Sequence, residues 1–309
     1  MIQVVIFSFD RAMQLDLLLQ SIVKFDSQGL FSVRVLHACS SETYQTAYNR
    51  LKSKYPNIHW VQEQRYVKPR INYQFDLGYW HNLYWWLKSL SFRENKSNFK
   101  SCLLEILADV EYPFTMFLTD DSLFYNIITV PEANLEKIKR QPEKYSFSFR
   151  HGVNMKGGIY QEEANDICWN VYENDMQTDW GYPFSIDGLL YDSRTVYRII
   201  NKILLNNPNT MEANIACYVA EKKLFPTITA LKQSCLVGFE LNRVQSVSDN
   251  HHLGISYEKL NQYYLEDYAM EIDFDKSNVS NFRPKIQSVT IEKENIKEKI
   301  WNSNCLTNN

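Results

Sequence analysis

The sequence predicts an α/β fold in which a mixed, mainly parallel sheet is flanked by helices and followed by an irregular region. Three observations carry that prediction. The first 65 residues alternate between strand-like apolar runs and helical spacing. A buried run from Phe114 to Leu118 stops abruptly at two aspartates. Glycine and proline then crowd the stretch from 151 to 190. Strand and helix signals in strict alternation place parallel strands side by side with helical crossovers on their faces.

Taken in order, Val4 to Phe9 is an apolar run of strand length, and Leu15, Leu18, Leu19 and Ile22 recur at helical spacing. Val33 to His37 reads as a second strand. Tyr44, Ala47, Tyr48 and Leu51 form a second helical face, and Ile58 to Val61 a third strand. Such β-α-β-α-β units cross over right-handedly and place ligands at the carboxyl ends of their strands. Helices are expected over Asn82–Leu90 and Ser101–Leu107, with a polar loop from Phe92 to Lys100 between them. Pro131 opens a helix reaching Lys139, with Glu132 in its first turn where the dipole favours an acid. Tyr145 to Phe149 is another strand. Gly157, Gly158, Gly181, Pro183 and Gly188 mark an irregular region of a length usually reserved for function. Val196, Ile199, Ile200 and Ile203 make one more helical face, and Met211 to Lys223 another. The polar segment beyond Asp273 is expected to be a tail, with a helix over Glu292–Trp301.

Composition narrows the function. A length of 309 residues with 45% apolar content suits one large domain, or one domain plus a small appendage, with a full core. A net charge of −3 with mixed signs gives no basic footprint for nucleic acid. Aromatics reach 14%; core and surface filling accounts for them most simply, with stacking on a base or sugar ring as the alternative. The six cysteines are scattered, the nearest two being Cys217 and Cys235, so no metal or redox knuckle exists and a reducing cytoplasm is expected. The opening run Ile2-Gln3-Val4-Val5-Ile6-Phe7 lacks a basic flank and meets Asp10 at once, unlike a signal peptide. No apolar stretch approaches a membrane span, so contact with the inner face of a membrane would be peripheral.

Asp120-Asp121 is the strongest chemical feature. Adjacent carboxylates at the end of a buried strand repel one another unless a cation lies between them and a ligand. Carboxylates suit Mg²⁺ or Mn²⁺, which bind through one or two protein oxygens, phosphates and water; a turn stabilised by its own Asx hydrogen bonds is the competing account. Ser8-Phe9-Asp10-Arg11 ends the first strand, where a polar turn and an arginine can hold a nucleotide. Asp10 as a simple helix cap is an equal alternative. Lys68 and Arg70 could face a diphosphate, or be solvated charges. In Trp180-Gly181-Tyr182-Pro183-Phe184-Ser185-Ile186-Asp187-Gly188, Asp187 could act as general base on an acceptor hydroxyl or bond its own turn. Glu212 is the second catalytic candidate, although a glutamate near a helix start is explained more simply by the dipole. His251-His252 could complete a metal shell or touch phosphate, or simply be exposed.

In this order the motifs resemble GT-A glycosyltransferases, especially the family-two-like bacterial group, over about residues 1–265. Val4-Val5-Ile6-Phe7-Ser8-Phe9-Asp10-Arg11 resembles their opening strand and nucleotide loop, and Phe117-Leu118-Thr119-Asp120-Asp121-Ser122 their DXD-type motif with the two acids adjacent. Pro183-Phe184-Ser185-Ile186-Asp187-Gly188 resembles the acceptor-side segment, and Asn242-Arg243-Val244-Gln245 also fits relatives. The resemblance implies a transferase domain over 1–270, with a nucleotide-binding half at 1–125 and an acceptor-side half at 126–270, followed by the tail at 271–309. It implies a nucleotide-sugar donor, by default a UDP-sugar, and a glycan or lipid-linked acceptor, as in bacterial polysaccharide synthesis. Asp10 and Arg11 would lie near base or diphosphate, Asp120 near the ribose, and Asp121 on the metal. Two departures stand out. Thr119 replaces the first acid of a strict D-x-D, and the second strand ends in Cys39-Ser40-Ser41 instead of an acidic pair.

Three other readings carry less weight, and the second is discarded. A sugar nucleotidyltransferase needs a glycine-rich loop after the first strand, and residues 8–14 hold no glycine. A haloacid-dehalogenase-type phosphatase needs a second aspartate two positions after Asp10, where Ala12 stands. A catalytically degenerate relative that binds a nucleotide or glycan is kept open by the missing first acid.

Overall fold

The structure is a computed structural model that describes residues 1–65, 79–84, 97–109, 111–242, 252–280, 283–294 and 296–303. β1 (Ile2–Phe9), α1 (Ala12–Phe25), β2 (Phe31–Ala38), α2 (Glu42–Lys54) and β3 (His59–Gln62) follow in the expected order. Next come α3 (Phe99–Leu107) and β4 (Phe114–Thr119), and only Asp120 and Asp121 separate β4 from β5 (Ser122–Phe124). α4 (Glu132–Arg140), β6 (Tyr145–Ser148), β7 (Gln161–Glu162) and β8 (Asp166–Asn170) lead into single 3₁₀ turns at Val171–Glu173 and Asp179–Gly181. β9 (Leu189–Asp192), α5 (Ser193–Lys202), α6 (Pro208–Lys222), β10 (Thr227–Leu231), β11 (Leu236–Gly238) and α7 (Tyr257–Leu265) come next. β12 (Ala269–Ser280), β13 (Arg283–Lys293) and β14 (Ile296–Asn302) close the chain.

Nine strands form one sheet in the order β3-β2-β1-β4-β9-β6-β10-β8-β7. β3, β2, β1 and β4 are mutually parallel, β9 runs antiparallel between β4 and β6, and β10 lies parallel to β6. β1 is buried from Ile2 to Ser8 because helices cover both faces of the sheet, which is why its sequence is a continuous apolar run. From β1 the chain winds outward to β3, then returns to β4 on the other side of β1. The crevice at the carboxyl ends of β1 and β4 is therefore the switch point where such sheets bind ligands. α1 seals one face with Leu15, Leu18, Leu19 and Ile22, all buried. α6 starts with a reciprocal cap in which Asn207 Oδ1 accepts from Thr210 N at 2.8 Å and Thr210 Oγ1 from Asn207 N at 3.0 Å.

The segment beyond residue 270 departs from expectation. It is not a tail, and Glu292–Trp301 is not helical: β12, β13 and β14 form a three-stranded antiparallel sheet. The apolar spacing of Ile296, Ile300 and Trp301 fits a helix, but Val289 and Ile291 alternate at period two and are fully buried. Pairing with β13 therefore overrides local propensity. Phe274 anchors this sheet on the main body, its ring centroid 5.0 Å from Phe239 and 5.7 Å from Tyr125. Among the described residues no helix is long and apolar enough to cross a membrane.

Candidate active site

A cavity of about 800 Å³ opens at the switch point. Its first wall comes from the ends of β1 and β4. Arg11 Nη1 donates to Asp120 Oδ1 and to Asp121 Oδ2, each at 3.0 Å. The other face of the guanidinium is held by Asn242, through Nε to its Oδ1 at 2.9 Å and Nη2 to its carbonyl at 2.6 Å. Asp120 is 4% exposed and its Oδ2 accepts from Ser8 Oγ at 2.7 Å and Phe9 N at 3.2 Å. Ser8 in turn meets the buried Tyr48 hydroxyl at 2.5 Å. Burial pushes the Asp120 carboxyl up to about 6, with Arg11 opposing the rise and Asp121 adding to it. The same two acids raise the Arg11 guanidinium and keep it charged despite burial. β11 clamps the turn: it pairs with β5, and Phe239 N donates to Asp121 O at 2.7 Å.

The second wall is built around Arg150, which follows β6 and is only 3% exposed. Its Nη1 donates to Ser185 Oγ at 3.0 Å and lies 3.7 Å from Asp187 Oδ2, while Nη2 is paired with Asp179. Thr119, at the end of β4, donates to Asp187 Oδ1 at 3.0 Å and so ties this wall to the first. Asp187 is 27% exposed on its side chain, toward the cavity. Burial raises its carboxyl; Arg150 pulls it down, and Asp121 pushes it up. Glu212, on α6, also lines the cavity, and its Oε1 accepts from Ile186 N at 3.0 Å. Burial, and then the Asp187 charge, push Glu212 up to about 7. Gly188 makes this wall possible. Its φ of +84° is left-handed, its N–H reaches Phe117 O at 2.9 Å, and a Cβ there would stand 2.2 Å from Leu236 Cδ2.

The structure thus brings Ser8, Arg11, Asp120, Asp121, Asp187, Glu212 and His252 to one cavity. Asp10 is placed differently from expectation. With φ at 56° it turns away, is 2% exposed, and its Oδ1 accepts from Ser40 N at 2.9 Å beyond the end of β2. It shapes the turn and does not line the cavity. Glu212 bonds a neighbouring loop, so it is more than a charge on the α6 dipole. Lys68, Arg70 and His251 fall outside the described residues. Arg150, Asp179 and Glu240 are not singled out by the sequence, and Asn242 is marked only as part of a segment that fits relatives. Arg150 stands at the carboxyl end of a strand, the position that drew attention to Asp120, and could have been found the same way.

The cavity carboxylates differ in how well they suit the expected divalent cation. Asp120 does not fit as a direct ligand, because Ser8, Phe9 N and Arg11 already occupy its oxygens in a buried setting. Asp121 fits: Oδ2 meets Arg11, Oδ1 has no protein partner among the described residues, and the side chain is 21% exposed at the cavity. His252 lines the same cavity, with Nδ1 accepting from Gly254 N at 3.0 Å and Nε2 left for another partner. Among the described residues no cluster of three or more histidine, cysteine or acidic side chains forms a complete metal cage.

No protein-family model matches the chain. Its sequence is 24% identical over 316 residues to the bifunctional glycosyltransferase pgtA of Dictyostelium discoideum, covering 90% of this chain. The chain spans 37% of the length of that relative. Structures of S. aureus TarS superpose weakly. TarS 1–349 matches with a TM-score of 0.42 and 15% identity over 76% of this chain and 59% of TarS 1–349. Its complex with UDP-GlcNAc matches with a TM-score of 0.40 and 14% identity over 86% and 66% of the two chains. Over nine-tenths of its length the chain is thus similar to part of a bifunctional glycosyltransferase, and its sheet places paired aspartates at the switch point.

Proposed function

We propose that the chain transfers a glycosyl group from a nucleotide-sugar donor, by default a UDP-sugar, to an acceptor hydroxyl on a glycan or lipid-linked glycan, with inversion at the anomeric carbon. The observation that carries this reading is the position of Asp187. It is a cavity carboxylate fixed by Thr119 on one oxygen and approached by Arg150 on the other, facing the wall that holds Asp121.

The donor lies along the ends of β1 and β4. Asp120 orders the β1 turn and Arg11, and Arg11 in turn fixes the orientation of Asp121. A Mg²⁺ or Mn²⁺ would be held by Asp121, with His252 within the same cavity, and would supply Lewis-acid stabilisation of the departing diphosphate. Asp187 accepts the acceptor hydroxyl proton as its oxygen attacks the anomeric carbon; the bond from that carbon to the diphosphate oxygen breaks, and the nucleoside diphosphate leaves. Arg150 keeps Asp187 ionised, while burial makes it a stronger base than a free aspartate. Burial and the Asp187 charge push Glu212 up to about 7, so a proton held by Glu212 relieves the repulsion between the two acids. The charged groups are held in place by their hydrogen bonds, so they need little reorganisation as charge develops in the transition state.

The direct test is donor turnover, with and without Mn²⁺, for wild type and Asp121→Ala across a panel of nucleotide sugars. Wild-type turnover in Asp121→Ala would remove the metal assignment. Saturable nucleotide binding without hydrolysis or transfer by the wild type would favour the degenerate binding protein.

A further inference from the structure

The C-terminal sheet places a charged group in the cavity. Arg283, the first residue of β13, lines it together with Glu240, and Arg283 Nη2 donates to Glu240 Oε1 at 2.7 Å. The other cavity arginines are committed. Arg11 is consumed by Asp120, Asp121 and Asn242, and Arg150 by Asp179, Ser185 and Asp187. Arg65 sits 3.7 Å over the Phe9 ring and pairs with Glu63. Arg283 differs from all three: its side chain is 54% exposed and, among the described residues, has one carboxylate partner. Most of its five N–H donors therefore remain for a ligand.

The surroundings call for such a group. Glu240 lines the cavity together with Asp121 and Asp187, so carboxylates from both walls and from the C-terminal side face the space a donor would fill. A diphosphate cannot enter that field without cations to meet it. A half-exposed Arg–carboxylate pair contributes little and exchanges readily. An Arg–phosphate contact is charge-assisted, commonly bidentate, and stronger.

We propose that Arg283 is a phosphate-binding residue of this cavity, leaving Glu240 for the donor's diphosphate when the nucleotide enters. The C-terminal sheet is then part of the donor site. This inference rests on the nucleotide-sugar reading above, and the test separates the two.

The experiment is titration calorimetry of wild type, Arg283→Ala and Arg283→Lys with UDP, GDP, uridine and inorganic pyrophosphate. The expected result is a loss of about tenfold or more in nucleoside diphosphate and pyrophosphate affinity for Arg283→Ala, equivalent to about 1.4 kcal/mol. Arg283→Lys should lie between, and uridine affinity should not change. Unfolding temperatures of the variants should match wild type, because the side chain is half-exposed. Wild type that binds the diphosphates while Arg283→Ala binds them equally well would overturn the assignment and leave the transferase reading standing. An equal loss for uridine would also overturn it, by showing a general disturbance of the cavity. Wild type that binds neither a nucleoside diphosphate nor pyrophosphate would remove the nucleotide-sugar reading and this inference together.

Discussion

The two walls of the cavity are each organised by a buried arginine set against two carboxylates, yet they are assembled in opposite ways. Arg11 grips Asp120 and Asp121, neighbours in sequence that sit where two adjacent parallel strands end. Arg150 is matched to Asp179 and Asp187, which come from a 3₁₀ turn and from the loop before β9. On the first wall the buried acid, Asp120, has its oxygens spent on the protein, which fixes geometry. On the second wall Asp187 remains partly open to the cavity, which leaves it available for chemistry. On the proposed function, the contrast gives architecture and donor placement to one wall and proton transfer to the other.

The sharpest way to break this division is Asp187→Asn. The amide keeps the size of the side chain and can still accept from Thr119, but it cannot take a proton. Turnover should fall by about 10²–10⁴-fold, the usual contribution of a general base, while nucleoside diphosphate affinity stays near wild type. Undiminished transfer to the true acceptor, measured by product formation, would return Asp187 to a structural role. Arg11→Ala probes the opposite wall. It leaves Asp120 buried without its cation, and breaking a buried pair of this kind costs about 3–5 kcal/mol. Chemical denaturation should show that loss. A variant as stable as wild type would mean that Asp120 is held by Ser8 and Phe9 N alone.

The contrast also explains what could be read from the sequence. The first wall was legible because its parts are local: an apolar strand, a turn, and the acids that follow it. The parallel arrangement of β1 to β4 followed from alternating periods for the same reason. Asp187 was noticed through its glycine neighbour and its family-like segment, but its partners were not. Arg150 lies 37 positions before Asp187, and nothing in either stretch reports the other. Asp10 reads equally as a ligand or a cap in the sequence and is neither in the structure, because its left-handed backbone turns the carboxylate to Ser40 N, a contact 30 residues away that local pattern does not report. The strands after residue 270 were missed because charged, amphipathic segments carry weak period-two signals that are fixed only by cross-strand pairing.

Gly188 links the two walls, and replacing it tests whether their spacing matters. Alanine there meets both an unfavourable φ and the Leu236 side chain, for a cost of about 1–3 kcal/mol. Because Leu236 is flexible, the fold should survive with a lower unfolding temperature. The displaced Asp187 loop should then lower turnover more than it lowers donor affinity. Equal losses in both would show that Gly188 supports the cavity as a whole.

The last test is Glu212→Gln, and its value lies in its sign. Glu212 titrates near 7 in the folded chain against 4.5 for an ordinary glutamate, chiefly because it is buried and then because Asp187 is charged. The fold therefore prefers the protonated form. That preference favours folding fully below 4.5 and fades as the pH rises through 7, where the ionised side chain must be held in the interior. Glutamine keeps an oxygen for Ile186 N and never ionises. Thermal unfolding should find wild type and Glu212→Gln alike near pH 4.5, with the variant gaining relative stability up to pH 8. Combining it with Asp187→Asn should shrink that gain, because the like charge that helps raise Glu212 has been removed. A variant whose relative stability does not change with pH would mean that Glu212 and Asp187 do not share the proton balance that distinguishes this wall from the other.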